Sequence, residues 1–309
     1  KGLVGSEMCI RDRFNSPSIL SLIWHVECQG VWRIAGGMYD LVKQIETISK
    51  RSDASFFYKN KVKKILMKNN KINGIELKNN KVIDCDTVIF NGDPKALFDG
   101  LLGDEIQNAV SNNNINKRSL SAYVWSFAAK TQGLDLLHHN VLFNKNYRTE
   151  FDDIKRGEIP KDPTLYICAQ GSINNPRPKE KSLGRFEIII NGSPTYNNKK
   201  YNKQKEYTKC KEITFSILDS MGLKMDLKPT EEMLTTPKEF EQLFPGSQGS
   251  LYGRTPHGIS STFMRPRNKS KIKGLLLAGG GTHPGAGIPM ACLSGKHAAE
   301  MILKDLSLT

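Results

Sequence analysis

The feature that most constrains this chain lies near its C-terminal end. Leu275-Leu276-Leu277-Ala278 is a short apolar run. Gly279-Gly280-Gly281-Thr282-His283-Pro284-Gly285-Ala286-Gly287 follows, and residues 288–303 then read as a helix. A strand of 274–278, a glycine loop of 279–287 and a helix behind it make one unit. Glycine lets a backbone approach a ligand closely, and a helix N-terminus directs N–H groups and the positive end of its dipole at that ligand. Such an end suits a phosphate, or a ring that gains negative charge. The loop is not a Walker P-loop, because no Lys-Ser/Thr follows Gly285. It also misses Gly-x-Gly-x-x-Gly, since Pro284 stands at the last position after Gly279 and Gly281. A tight structural turn is the competing reading.

The rest of the chain surrounds this unit with mixed elements. After Gly36-Gly37, the residues Met38, Leu41, Val42, Ile45 and Ile48 repeat at helical spacing, which predicts an amphipathic helix to about Lys50. A small antiparallel meander follows, with turns at Asn69-Asn70 and Asn79-Asn80. Thr87-Val88-Ile89-Phe90 is a buried strand ending in Asn91-Gly92-Asp93-Pro94, the arrangement of an α/β sheet with a ligand at its strand ends. Residues 96–118 and 195–221 read as helices. Residues 122–129, 164–169 and 186–191 read as strands of a second sheet, and 229–265 as loop and strand. The chain has 309 residues, enough for about two domains. The expected class is α/β, an α+β two-domain chain.

Charge narrows the partners. Lys+Arg outnumber Asp+Glu, 45 to 31, for a net charge of +14. A basic surface favours anions, either nucleic acid or lipid headgroups. No recognition module with interleaved aromatics appears, so nucleic acid is not expected, while a membrane surface stays open. No apolar run approaches the roughly 18 residues a spanning helix needs. The six cysteines form no Cys-x-x-Cys pair and read as thiols of a reducing compartment. His138-His139 offers two imidazoles with no third ligand at suitable spacing, so no metal is expected. Asp152-Asp153 reads as adjacent carboxylates facing opposite ways on a strand, or facing solvent, rather than as an acid–base pair.

Residues 278–290, with Leu293-Ser294-Gly295 after them, resemble the C-terminal FAD motif of the phytoene desaturase family of carotenoid flavoenzymes. Gly36-Gly37-Met38 with Leu41 is similar to that family's Gly-Gly-Met-x-x-Leu helix start. Val62 with Ile65, Gly74-Ile75 and residues 86–94 follow its middle in order. Three blocks narrow the resemblance to the hydroxycarotenoid 3,4-desaturase branch. They are residues 120–128 with 138–141, residues 147–153, and residues 244–247 with 251–258. The resemblance covers about residues 22–309. It implies that the parent protein is an FAD-dependent desaturase that removes two hydrogens from a hydroxylated or methoxylated acyclic carotenoid, with the fragment expected to be inactive alone. The electron acceptor is left open, and a flavin-dependent carotenoid isomerase, an amine-oxidase-like flavoenzyme or a non-catalytic fragment are the alternatives. A nearly pure hydrocarbon substrate implies contact with the cytoplasmic membrane of a bacterium, from the cytoplasmic side.

The family's first strand–glycine loop–helix unit, which cradles the FAD pyrophosphate, has no counterpart in this sequence. Ser6-Glu7-Met8-Cys9-Ile10-Arg11-Asp12 resembles translated sequencing-adapter sequence. The expectation is therefore a foreign segment at 1–13 and a C-terminal portion of a longer protein. Its substrate-binding domain would be 14–34 and 96–268, and its incomplete, Rossmann-like FAD-binding domain 35–95 and 269–309. For the cofactor the resemblance implies Val62, whose backbone would lie beside the adenine, and Gly279, Gly280, Gly281, Thr282, His283, Pro284, Gly285, Ala286, Gly287, Ile288, Pro289 and Met290. Arg254, His257 and His283 are the candidate catalytic residues, for proton removal or recognition of the substrate's oxygenated end. A surface ion pair or a loop hydrogen bond is the simpler role for each.

Overall fold

The computed structural model describes Trp24, Cys28, Gly30, Trp32, Ile34 and residues 36–170, 183–195, 201–255 and 264–307. Helix α1 (Met38–Arg51) forms over the predicted span, with Asp40 in its first turn and Lys50 and Arg51 in its last, matching the helix dipole. Its apolar stripe does not pack as the periodicity predicts. Met38, Val42, Ile45 and Ile48 are 48–60% exposed, and the helix buries no residue.

The meander forms as expected from β1 (Val62–Lys68), β2 (Lys71–Leu77) and β3 (Val82–Asp84), in that order and antiparallel. Asn69, Asn70 and Asn80 all take positive φ, which their short polar side chains tolerate. Strand β4 (Val88–Phe90) pairs in parallel with β11 (Leu275–Leu277), placing Val88 opposite Leu275 and Phe90 opposite Leu277. That pairing brings the loops after both strands to the same end. Ile65, Ile72, Leu97, Ile106, Leu275 and Leu277 form one core beneath them.

A second core belongs to a six-stranded antiparallel sheet. Its strands are β5 (Ser121–Gly133), β6 (His139–Leu142), β7 (Leu165–Gln170), β8 (Gly184–Gly192), β9 (Leu223–Asp226) and β10 (Leu234–Thr235). The order is β10-β5-β8-β7-β6, with β9 on the far end of β5. Alternation sends Tyr123, Trp125, Ile167, Ile188 and Ile190 to one face, where Cys210 and Leu218 of helix α4 (Lys203–Ser220) cover them. The opposite face carries Ala122, Val124, Tyr166, Cys168 and Ile189, packed against Phe240, Leu251 and Tyr252.

Four local expectations fail. Residues 96–118 are not one helix. Helix α2 (Pro94–Phe98) stops before Gly100 and Gly103, both at positive φ, and the chain continues in 3-10 turns at Asp104–Ala109 and Asn112–Asn114. Asp152 and Asp153 lie on helix α3 (Tyr147–Lys155), not a strand; Asp153 is buried, accepting from Lys161 N and from Arg156. Helix α5 (Pro237–Leu243) stands where loop and strand were expected, opened by Thr236 and Glu239 in a reciprocal capping box. Helix α4 begins at Lys203, not near 195, because Asn202 caps it through Lys205 N.

Candidate functional site

The glycine loop leaves β11 and turns over the end of β4. Gly279 has φ +106°, and a Cβ there would lie 2.4 Å from Asn91 Oδ1; one on Gly281 would lie 2.7 Å from Pro94 Cδ. These two positions bind the loop to the Asn-Gly-Asp-Pro turn by close approach that only glycine permits. Helix α6 (Ile288–Ser307) then runs back beneath, with Ala298, Met301 and Ile302 on Leu276 and Ala278.

Polar side chains fix this geometry from below. Asn268 Nδ2 donates to Leu277 O at 2.9 Å and to Ser294 O at 2.8 Å, while the Ser294 hydroxyl accepts from Gly279 N at 2.9 Å. Buried Arg265 donates to Gly280 O, Tyr252 O and Arg254 O at 2.8–2.9 Å. One guanidinium thereby ties the glycine loop to the segment over the six-stranded sheet. Arg118 and Asp93 add a buried ion pair between the β4 turn and the start of β5.

The loop is closed on one side and open on another. Gly287 has φ +100°, and a Cβ there would meet nothing within 4 Å. Ile288 and Leu293 on the following turns are 47% and 37% exposed. The first N–H groups of α6 have no partners within the helix, so this end presents donors and a positive dipole end to open space. Thr282, fully buried in the loop, has a hydroxyl without a hydrogen-bond partner among the described residues. An open backbone cradle and an orphaned hydroxyl both fit an anionic or electron-rich ligand. On the other flank, His283 borders a cavity of about 570 Å³ with Arg267, Asn268, His297, Glu300, Met301 and Lys304.

Residues 217–303 match the family model described as flavin containing amine oxidoreductase. The hydroxyneurosporene desaturase of Cereibacter sphaeroides is 44% identical over 294 residues, which make up 95% of this chain and 58% of that protein. The enzyme of the same name from Rhodobacter capsulatus is 43% identical, over 94% of this chain and 58% of its own. Over nearly its whole length this chain is similar to these desaturases. A 1-hydroxycarotenoid 3,4-desaturase from a Flavobacterium is 29% identical over 93% of this chain and 58% of its own. The chain spans 58% of the length of these curated relatives.

In this chain the structure brings residues 279–290 together as one continuous wall at the head of α6. Val62 opens β1, half-buried opposite Leu77, and no hydrogen bond joins it to that wall among the described residues. His283 holds the loop through its own N–H to Pro266 O at 2.8 Å and is among the residues that line the cavity. Arg254 is buried, and its guanidinium is turned inward onto Asn113 O and Met264 Sδ. It braces the loop that Arg265 also grips. His257 lies outside the described residues. Sequence reasoning missed Arg265 and Asn268; a basic or amide residue in a loop carries no signal until its buried carbonyl partners are known.

Proposed function

We propose that this chain forms part of an FAD-dependent oxidoreductase that removes two hydrogens from a hydroxylated or methoxylated acyclic carotenoid. The observation that carries the reading is the open, glycine-walled head of α6 beside the ends of β4 and β11. The relatives' names and the flavin family model support it. FAD, when bound, supplies the hydride acceptor that no side chain can. Residues 279–290 would hold its ring end and Val62 its adenine end. Residues 35–95 and 269–309 serve as the FAD-binding part, and 14–34 with 96–268 as the substrate part.

The remaining work falls to the chain's own groups. The N–H groups at the head of α6 are fixed donors, placed to stabilise negative charge without reorganising. Arg265 and Asn268 keep that donor set rigid by holding Gly280 O and Leu277 O. The sheet face of Ala122, Val124 and Ile189 is covered by Phe240, Leu251 and Tyr252 and so backs the segment that Arg265 ties to the glycine loop. His283, on the cavity's edge, is the side chain assigned to accept the departing proton.

Contact with an anionic bilayer surface from the cytoplasmic side is part of the same reading. Among the described residues no helix is long and apolar enough to cross a membrane. The exposed stripe of α1, with Lys43, Lys50 and Arg51 beside it, gives apolar area and positive charge together. Two measurements test the proposal. Full-length protein that includes the family's pyrophosphate-cradling unit shows a flavin absorbance band, and it floats with anionic liposomes at low salt. Protein that is folded but colourless after reconstitution with FAD removes the cofactor reading, and protein left in the soluble fraction removes the membrane reading.

A further inference from the structure

The edge of the six-stranded sheet carries a second chemical cluster, away from the glycine loop. Strand β6 pairs with β7 so that His139 stands directly opposite Cys168. His138 immediately precedes β6, and its carbonyl accepts from Ala169 N at 2.9 Å. The two imidazoles meet edge to face, with ring centroids 4.4 Å apart. One ligand atom from each of His138, His139 and Cys168 can be chosen so that all three lie within 4.8 Å of one another. Cys168 Sγ is 3.9 Å from His138 Nε2.

The geometry points to a binding site for a thiophilic cation of the zinc class, held by His138, His139 and Cys168. Four observations converge on it. The donor set is soft, two imidazoles and a thiol, which selects zinc or cuprous ion over magnesium or calcium. The spacing is close to what coordination needs. With about 2.0 Å to nitrogen and 2.3 Å to sulfur, neighbouring ligand atoms in a tetrahedral site stand roughly 3.6 Å apart, so small side-chain rotations close the site.

Both rings are also oriented by their second nitrogens. Ala169 O can only accept, so the 3.2 Å contact puts the proton of a neutral His138 on Nδ1 and leaves Nε2 as the donor atom toward Cys168. Tyr166 OH lies 2.6 Å from His139 Nδ1; in the tautomer where the hydroxyl accepts from Nδ1–H, Nε2 of His139 carries the lone pair for the ion. Carbonyl and hydroxyl partners of this kind are what hold metal-bound histidines in one tautomer. Finally, Glu187 follows Cys168 in the same cross-strand row, at the next register position on β8. A carboxylate there adds negative charge beside the cation. Binding exchanges the Cys168 thiol proton for the metal: sulfur keeps its electron pair and donates it to the ion, and the proton leaves to solvent. Three protein ligands leave a fourth position for water.

The test uses Co²⁺ on the untagged full chain under reducing conditions. One equivalent produces a thiolate-to-cobalt charge-transfer band, and one equivalent of Zn²⁺ bleaches it. Cys168→Ser abolishes the band. Tyr166→Phe, which removes the hydroxyl beside His139 Nδ1, weakens cobalt binding by about tenfold. Should Cys168→Ser fail to fold, His138→Gln, at a half-exposed position, loses the band with an unchanged circular dichroism spectrum. A wild-type chain that shows no thiolate band, or a band that survives in the folded Cys168 or His138 variant, overturns the assignment.

Discussion

Asp93 and Arg118 form a two-pronged ion pair inside the protein, with side chains 8% and 2% exposed. The same carboxylate caps α2 through Lys95 N at 2.9 Å, and the same guanidinium donates to Ser247 O at 3.0 Å. Three segments far apart in sequence therefore meet at one charge pair: the β4 turn, the strand leading into β5, and the loop after α5. Breaking such a pair leaves one buried charge alone. Arg118→Met is expected to cost about 3–5 kcal/mol, read as a fall in the urea midpoint with an unchanged slope. A shift below about 1 kcal/mol would mean the pair behaves as a surface bridge.

Trp125 sets a second prediction. Its indole N–H donates to Thr214 Oγ1 at 3.1 Å across the main core, and both residues are fully buried. Thr214→Val keeps the shape but leaves that donor only the weakly accepting Cys210 sulfur. A loss of about 1–3 kcal/mol is expected in chemical denaturation, together with a change in Trp125 fluorescence.

Much of this framework is legible in the sequence, and the failures have physical causes. The meander, the β4 and β11 strands and the glycine loop are specified by local signals: asparagines at tight turns, an apolar run cut by glycine, helical spacing after Gly287. Helix α5 was equally legible, since Thr236-Pro237-Lys238-Glu239 is a capping box with proline at its first position, but its short apolar face hides the period. Residues 96–118 mislead because apolar spacing continues through Gly100 and Gly103, where the backbone cannot. The stripe on α1 is correctly helical and still exposed; periodicity reports what a helix could bury, not what covers it. The His138–His139–Cys168 cluster is invisible in one dimension, because its third member arrives only through the register of β6 on β7.

Glu187 gives a pH-dependent prediction. Burial holds its carboxyl above the usual carboxylate range. The folded state therefore binds this proton more tightly than the unfolded state does. The stability tied to Glu187 is fully present below the ordinary value of 4.5 and is lost as pH rises through the raised folded value. Glu187→Gln stays neutral throughout. In the presence of a chelator it should melt higher than the parent near neutral pH, with the difference disappearing in acid. A variant that melts lower at neutral pH would show that the ionised carboxylate is stabilised by its surroundings.

Gly287 is the residue where fold and proposed cofactor meet. A β-branched side chain at φ +100° is strained by about 1–3 kcal/mol, and its Cβ would stand in the open space before α6. Gly287→Val should leave a folded protein with a much lower ratio of flavin to protein absorbance. Full retention of flavin would place the ring elsewhere.

The central claim is tested most directly by the product. Full-length protein, this chain joined to the family's pyrophosphate-cradling unit, is loaded with flavin and incubated with a hydroxylated acyclic carotenoid in liposomes, and the carotenoid is then read by mass and visible spectrum. Loss of two hydrogens with a red-shifted absorption is the predicted result. A carotenoid of unchanged mass, whether untouched or converted to a new isomer, would contradict it.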